Sequence, residues 1–279
     1  MNDFRIAFIG AGVMAETMIA GMRADGIGAE RILASHRREH RALELKERYG
    51  IRVVLDNAEA AAWADLVVLA TKPQSLPHVL PALRGRLRED AVLLSIVAGA
   101  RTSVLRDALD HPRVVRSMPN LPCRIRRGMT VWYAAPTLGQ TDLDRVRAVL
   151  QVMGEEARVE DEAHVDRATA VSGTGPAVVA HFVKAYLEAA AYIGEPRGLA
   201  RASVLATLEG TVAMLRQSED HVAELIDEVT SPGGTTSRAL QVLKNGRFSA
   251  VLTEAIEAAY ARSTELGEQI ARGCREPNP

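Results

Sequence analysis

The segment Gly10-Ala11-Gly12-Val13-Met14-Ala15 has the spacing G-x-G-x-x-A. It follows a strand-like run, Arg5-Ile6-Ala7-Phe8-Ile9, and opens a helical pattern that ends near Arg23. In that context the spacing suits a dinucleotide. The first glycine permits the tight turn, and the second lets the backbone approach a pyrophosphate. The alanine lets helix and strand pack closely, and the helix N-terminus turns its unpaired N–H groups toward the phosphates. A glycine turn that binds nothing is the plain alternative.

The second strand, residues 31–34, decides which dinucleotide. It runs into Ser35-His36-Arg37-Arg38, with no acid before Glu39. An acid there would hold the ribose hydroxyls of NAD. A serine hydroxyl and one or two arginines suit a 2′-phosphate, so NADPH is expected over NADH. The alternative is a basic turn facing water. Asp56-Asn57, Ala70-Thr71-Lys72-Pro73-Gln74, Ser95 to Ala100 and Met118-Pro119-Asn120 fall at later strand ends, the edge where open α/β sheets bind ligands. For Lys72 a turn role and a cofactor contact stand level. Asn120 has an amide that suits nicotinamide or substrate, and asparagine is also a common turn residue.

A third constellation lies far downstream. Thr230-Ser231-Pro232-Gly233-Gly234-Thr235-Thr236 precedes a short helix over 236–244. Unpaired N–H groups at that start form an anion site suited to a carboxylate, with threonine hydroxyls beside it. Simple N-capping is the alternative, although one Ser or Thr suffices for that and a double glycine is costly. Ser172-Gly173-Thr174-Gly175-Pro176 is either a second such site or a close approach of helices. No catalytic triad or metal set is expected, since His164, His181 and His221 lack acids or cysteines at ligand spacing. Lys184 and Glu188 form an ordinary i,i+4 pair.

Two kinds of element must position these groups. Up to residue 160, β-branched runs at 5–9, 31–34, 51–54, 65–70, 91–97, 113–116 and 129–133 alternate with helical patterns, as in βαβ units on a parallel sheet. From Asp161 onward the pattern is helical only, over 161–171, 176–193, 199–217, 221–229, 236–244 and 248–271. The expected fold class is α/β, with a Rossmann-type domain over 1–160 followed by an all-helical domain over 161–279. Residues 276–279, Glu-Pro-Asn-Pro, read as a frayed tail.

Composition bounds the function. The chain has 279 residues, 47% hydrophobic and 25% charged, with a net charge of −1. That balance excludes a nucleic-acid binder held by bulk charge. Aromatics at 4% exclude stacking platforms as the main chemistry, and 2 cysteines exclude a disulfide framework or a cysteine zinc site. No segment resembles a secretory leader, and no apolar run reaches the length of a spanning helix. A cytoplasmic enzyme or small-molecule binding protein, with neither nucleic acid nor membrane as partner, is expected.

With these motifs in order, the sequence resembles the pyrroline-5-carboxylate reductases over essentially its whole length. Lys72-Pro73-Gln74, Ser95 to Ala100, Met118-Pro119-Asn120, Ser172 to Ala177 and Thr230 to Thr236 carry the resemblance, the last being the most specific. It implies reduction of a cyclic imino acid, L-1-pyrroline-5-carboxylate, to L-proline with NADPH or NADH. It also implies a helical dimerisation domain, an intertwined homodimer and rings of dimers such as a decamer. Carried over, Gly10, Gly12, Val13 and Met14 would lie along the pyrophosphate. Ser35 and Arg37 would meet the adenosine ribose or its phosphate. Asn57, Ala70, Lys72 and Pro73 would line the cofactor cleft. Ser231, Gly234, Thr235 and Thr236 would hold substrate, with Thr236 near the imine nitrogen. Two departures bear on substrate choice: Leu121, where the family often has threonine, and the basic run Cys123-Arg124-Ile125-Arg126-Arg127. A six-membered imino acid, a β-hydroxyacid dehydrogenase and a non-catalytic NADP-binding regulator are the competing readings. The dehydrogenase would need a lysine with a neighbouring asparagine early in the first helix of the helical half, and Lys184 lies too deep.

Overall fold

A computed structural model describes residues 4–275; the tail expected at 276–279 lies outside them. The first elements are β1 (Ile6–Ile9), α1 (Val13–Ala24), β2 (Ile32–Ser35), α2 (Glu39–Tyr49), β3 (Arg52–Val54), α3 (Asn57–Trp63) and β4 (Leu66–Leu69). Then come α4 (Leu76–Leu83), β5 (Val92–Ser95), α5 (Thr102–Leu109), β6 (Val114–Met118), β7 (Gly128–Ala134), α6 (Gln140–Gln151) and β8 (Gly154–Val159). Helices follow: α7 (Ala163–Ala168), a π-helical stretch Thr169–Gly173, α8 (Gly175–Tyr192), α9 (Arg197–Gln217), α10 (Val222–Glu228), α11 (Thr235–Asn245) and α12 (Phe248–Arg275).

The eight strands form one sheet in the order β3-β2-β1-β4-β5-β6-β7-β8. Strands β1 to β6 pair in parallel, and β1, β2, β4 and β5 are buried on both faces, as parallel strands under two helix layers must be. On one face Met18, Ile19 and Met22 of α1 and Val146, Val149 and Leu150 of α6 close the core. On the other, Leu76, Leu80 and Leu83 of α4 and Leu105 and Leu109 of α5 do so. The strand order reverses between β1 and β4, and a crevice opens there at the carboxyl ends.

Two strands depart from the parallel expectation. β7 runs antiparallel to β6, because residues 119–127 are too few for a parallel crossover. β8 was not expected from the sequence; its Glu155, Glu156 and Arg158 mask the strand pattern. It pairs with β7, and Glu156 accepts from Trp132 Nε1 at 2.5 Å and from Arg147 Nε at 3.2 Å.

The expected boundary at residue 160 coincides with the end of β8, but compactness divides the chain elsewhere. One unit holds the residues up to Thr174 and those from Ala259 onward; the other is Gly175–Ala258. Ion pairs, hydrogen bonds and packing bind the outlying parts of the first unit. Arg116 of β6, 1% exposed, pairs with Asp166 of α7 at 2.5 Å and with Glu162 at 3.4 Å. Glu162 also accepts from the main-chain N–H and hydroxyl of Thr102, at 2.8 and 2.7 Å, at the start of α5. The end of α12 returns to the sheet, where Ile270 joins the second core layer. A Cβ on Gly99 would lie 3.1 Å from the Gly267 main-chain nitrogen, so the turn after β5 meets α12 backbone to backbone.

The second unit buries little in a single chain. α8, α10 and α11 have no buried residue, and α9 buries Ala200 and Val204. Val179, Phe182, Tyr186, Val212, Val242 and Val251 are exposed. α9 is long and apolar enough to cross a membrane by length and composition, a test that no uninterrupted apolar run had led us to expect.

Candidate active site

The crevice at the β1–β4 reversal is a cleft of about 340 Å³. Gly10, Gly12, Ser35, Arg37, Asn57, Ala70 and Lys72 line it, as do His36, Arg38 and Thr71. Gly10 has φ +86°, a left-handed conformation that favours glycine. A side chain there would strike Thr71 Cγ2 at 2.8 Å. Gly12 is extended, and a Cβ on it would meet nothing within 4 Å. It is also the N-cap of α1 without any side-chain cap, so the first N–H groups of a twelve-residue helix open into the cleft edge. Thr71 Oγ1 is buried without a partner among the described residues. Open space at Gly12, uncapped amides and an orphaned hydroxyl fit a dinucleotide pyrophosphate.

The ribose end is basic. Arg37 and Arg38 are exposed, with no ion pair among the described residues. Arg41 is engaged elsewhere, bound to Glu16 and Glu44. Burial alone would raise the Glu16 carboxyl, but hydrogen bonds from Arg41 and Tyr49 and the charges of Arg41 and Arg48 hold it below its ordinary value. The one acid in the first turn of α1 is therefore neutralised by its neighbours. Ser35 is fully buried, its Oγ 2.7 Å from Asn57 Oδ1 and 3.2 Å from the Phe8 carbonyl. Its hydroxyl orients Asn57 and the end of β1 rather than reaching into the cleft.

Met14 packs on the core and Val13 is exposed beside a neighbouring groove. Lys72 is exposed at the start of the turn Pro73–Ser75. Asn120 lies on the turn after β6, where its Oδ1 accepts from the Met129 N–H at 3.0 Å. That bond fixes the amide, leaving Nδ2 as the available donor.

In the second unit α11 starts at Thr235 with Gly234 as N-cap and no side-chain cap, so the capping alternative for this segment does not describe it. Gly233 has φ +72°, and a Cβ on Gly234 would sit 2.4 Å from Ser231 Oγ. The Gly234 N–H donates to the Ser231 carbonyl at 3.1 Å, closing the loop. Thr236 is half-buried. The loop presents unpaired amides beside threonine hydroxyls, which can bind a carboxylate and one further polar atom.

The close approach in the Ser172–Pro176 segment is to strand β6 and not to a second helix. A Cβ on Gly173 would lie 2.9 Å from Met118 Cε, and Ser172 donates to the Ala168 carbonyl at 3.0 Å. His221 caps α10, and Lys184 pairs with Glu188 at 3.4 Å. The sequence placed Ser35, His36, Arg37 and Arg38 on one strand end and offered one or two of the arginines to the 2′-phosphate, but assigned His36 and Thr71 no role; their position next to named residues was the available signal.

Comparison with known proteins agrees with this layout. Residues 162–266 match the family model for pyrroline-5-carboxylate reductase dimerisation, and residues 5–99 match the model for NADP oxidoreductase, coenzyme F420-dependent. A pyrroline-5-carboxylate reductase of Pseudomonas aeruginosa is 39% identical, over 98% of this chain and 100% of its own length. The Bacillus subtilis pyrroline-5-carboxylate reductase 2 is 34% identical, over 98% of each. Among solved structures, the reductase of Coxiella burnetii superposes with a TM-score of 0.88 at 32% identity, covering 95% of this chain and 99% of that one. The Plasmodium falciparum enzyme, solved with NADP bound, gives 0.86 at 29% identity, covering 96% and 99%.

Proposed function

Since the chain belongs to the pyrroline-5-carboxylate reductase family, we propose that it reduces L-1-pyrroline-5-carboxylate to L-proline with NADPH as hydride donor. The uncapped start of α11, with Gly233, Gly234 and the Thr235 and Thr236 hydroxyls, supports the substrate reading. The cofactor is NADP(H), and the absence of an acid after β2 together with exposed Arg37 and Arg38 favours its 2′-phosphate.

NADPH supplies the hydride when bound. Gly10, Gly12 and the first amides of α1 hold its pyrophosphate, Arg37 its ribose phosphate, and Asn57, Ala70, Lys72 and Pro73 the walls of its cleft. On the substrate side the α11 amides hold the carboxylate, with Ser231 and Gly234 shaping the loop. Thr236 orients the imine nitrogen. A protonated cyclic imine is already electrophilic, so positioning carries the rate and no strong protein acid is needed. The Asn120 amide, with its oxygen bound to the Met129 N–H, offers a donor suited to the nicotinamide or the substrate.

A steady-state panel of five- and six-membered cyclic imines with NADPH and NADH tests the assignment. Pyrroline-5-carboxylate with NADPH is expected to be turned over fastest, and no turnover with either nicotinamide would overturn it. Thr236→Ala is expected to lower kcat about tenfold, the cost of one oriented hydrogen bond to a charged group, with the melting temperature unchanged. Arg37→Ala should weaken NADPH about tenfold and leave NADH unaltered, as fluorescence titration would show; equal effects would remove the 2′-phosphate argument.

The exposed apolar faces of α8 to α12 are covered by a second copy of the chain. This agrees with the match to a dimerisation model and with helices that bury almost nothing alone. The homodimer is the unit from which a decameric ring would be built, and 161–279 is the substrate-binding and dimerisation region. Light scattering on the eluting protein should give at least the dimer mass; a stable active monomer would contradict it. Cys123 and Cys274 are both free thiols, which suits the reducing cytoplasm.

A further inference from the structure

We propose that His36 is a cationic ligand of the NADP(H) 2′-phosphate, taking up a solvent proton as the phosphate seats, so that the preference for NADPH over NADH rises as pH falls. The proposal rests on the NADP(H) reading above and concerns a residue that neither the dinucleotide motif nor the family resemblance uses.

His36 borders the same cleft as Gly12, Arg37 and Lys72. Its main-chain N–H donates to the Val54 carbonyl at 3.1 Å, which fixes the residue at the end of the β2–β3 ladder. Its Nδ1 lies 3.1 Å from the Arg38 main-chain nitrogen and 3.4 Å from the Arg38 carbonyl, so it accepts from the N–H when bare and donates to the carbonyl when protonated. Either contact anchors the ring on that side: with Nδ1 accepting, the proton of the neutral form sits on Nε2, and the second proton of the charged ring goes to Nδ1, where the Arg38 carbonyl can accept it. Nε2 has no hydrogen-bond partner among the described residues, so a donor remains to be used.

The surrounding charges set the sign. Arg37 and Arg38 flank the ring on its own turn, and Glu39, His40 and Arg41 lie in the first turn of α2. Arg41 is bound to Glu16 of α1 and to Glu44. Lys72 also lines the cleft, and Asp56, next to the lining residue Asn57, has its carboxylate engaged in capping α3 at Ala58. Burial first, and the positive charges of Arg41, Arg38 and Arg37, hold the ring below the ordinary imidazole value, against the raising effect of its hydrogen bond to the Arg38 backbone. In the free protein His36 is therefore neutral near pH 7. A phosphate dianion reverses the local field and favours the charged ring; the bare 2′-hydroxyl of NADH does not. Binding then consumes a proton, and NADPH affinity falls by at most tenfold per pH unit as pH rises. The phosphate's own ionisation, near pH 6, releases protons in the opposite sense, so the measurement belongs above it.

Calorimetric titration of the full chain with NADPH and with NADH, at pH 7.5 in buffers of different ionisation enthalpy, counts the protons. The expected result is a substantial fraction of a proton taken up with NADPH and none with NADH. His36→Asn, whose side-chain oxygen can still accept from Arg38, should take up none with either. Its NADPH affinity should be severalfold weaker than the parent's at pH 6.5 and nearly equal at pH 8.5. Unchanged NADH affinity shows that the variant is folded. Equal proton uptake by parent and variant would overturn the role of His36. No NADPH binding by the parent would instead remove the cofactor reading, and the proposal with it.

Discussion

Gly12→Val is expected to weaken NADPH binding about 100-fold while the protein melts within about 2 °C of the parent. The backbone at Gly12 is extended, a conformation valine adopts without strain, and a Cβ there meets nothing within 4 Å. The fold therefore does not need glycine at this position. The open space beside it is where a pyrophosphate would approach the α1 amides, and valine methyls would hold it away. Losing two charge-assisted hydrogen bonds at about 1.5 kcal/mol each gives the expected factor. Fluorescence titration with NADPH and a thermal melt of the same sample check both halves. Retained affinity would show that the cleft does not seat the pyrophosphate at Gly12. Gly10→Val is a useful contrast, because its positive φ and the 2.8 Å approach of Thr71 make that change destabilising as well.

Asp166→Ala is expected to cost about 3 kcal/mol of stability, the toll of leaving a buried arginine without its main partner. Arg116 is 1% exposed and its shortest ion pair, 2.5 Å, is to Asp166. Glu162, at 3.4 Å, is also committed to Thr102, so it compensates only in part. Arg116 Nε already lacks a partner among the described residues, which leaves little slack in the network. The change should lower the melting temperature by about 6–10 °C and restore none of it at high salt, since the pair is shielded from screening. Arg116→Met together with Asp166→Ala should recover much of the loss, because a neutral side chain of similar length carries no uncompensated charge. A melt unchanged in the single variant would mean that α7 is held to β6 by packing alone.

The features legible in the sequence are those that a few neighbouring residues determine. Gly10 and Gly12 between a strand run and a helix run specify a turn, an open face and a helix start. Gly233 and Gly234 before two threonines do the same for α11. Periods of 2 and 3.6 residues separated the sheet half from the helical half, because each reflects only where successive side chains point. The direction of β7 follows from a short link in the sequence, but choosing it needs a partner strand. β8 stayed hidden because Glu156 and Arg158 look like solvent-facing charges until Trp132 and Arg147 are brought beside Glu156.

Tertiary structure alone decided which groups are free to act. Ser35 looks like a ribose contact by its position, yet it is turned inward to Asn57 and the Phe8 carbonyl. Arg41 is one basic residue among several in the sequence, and Glu16 from another helix holds it in an ion pair. His36 is left with one ring nitrogen held and the other available. Arg116 finds Asp166 across 50 residues, and α12 returns to the sheet through Gly267 and Ile270. Backbone conformation and amphipathic period are local and survive in the one-dimensional record. Pairing of charges, burial of hydroxyls and the meeting of distant helices are set by which segments the fold brings together, and no single segment records them.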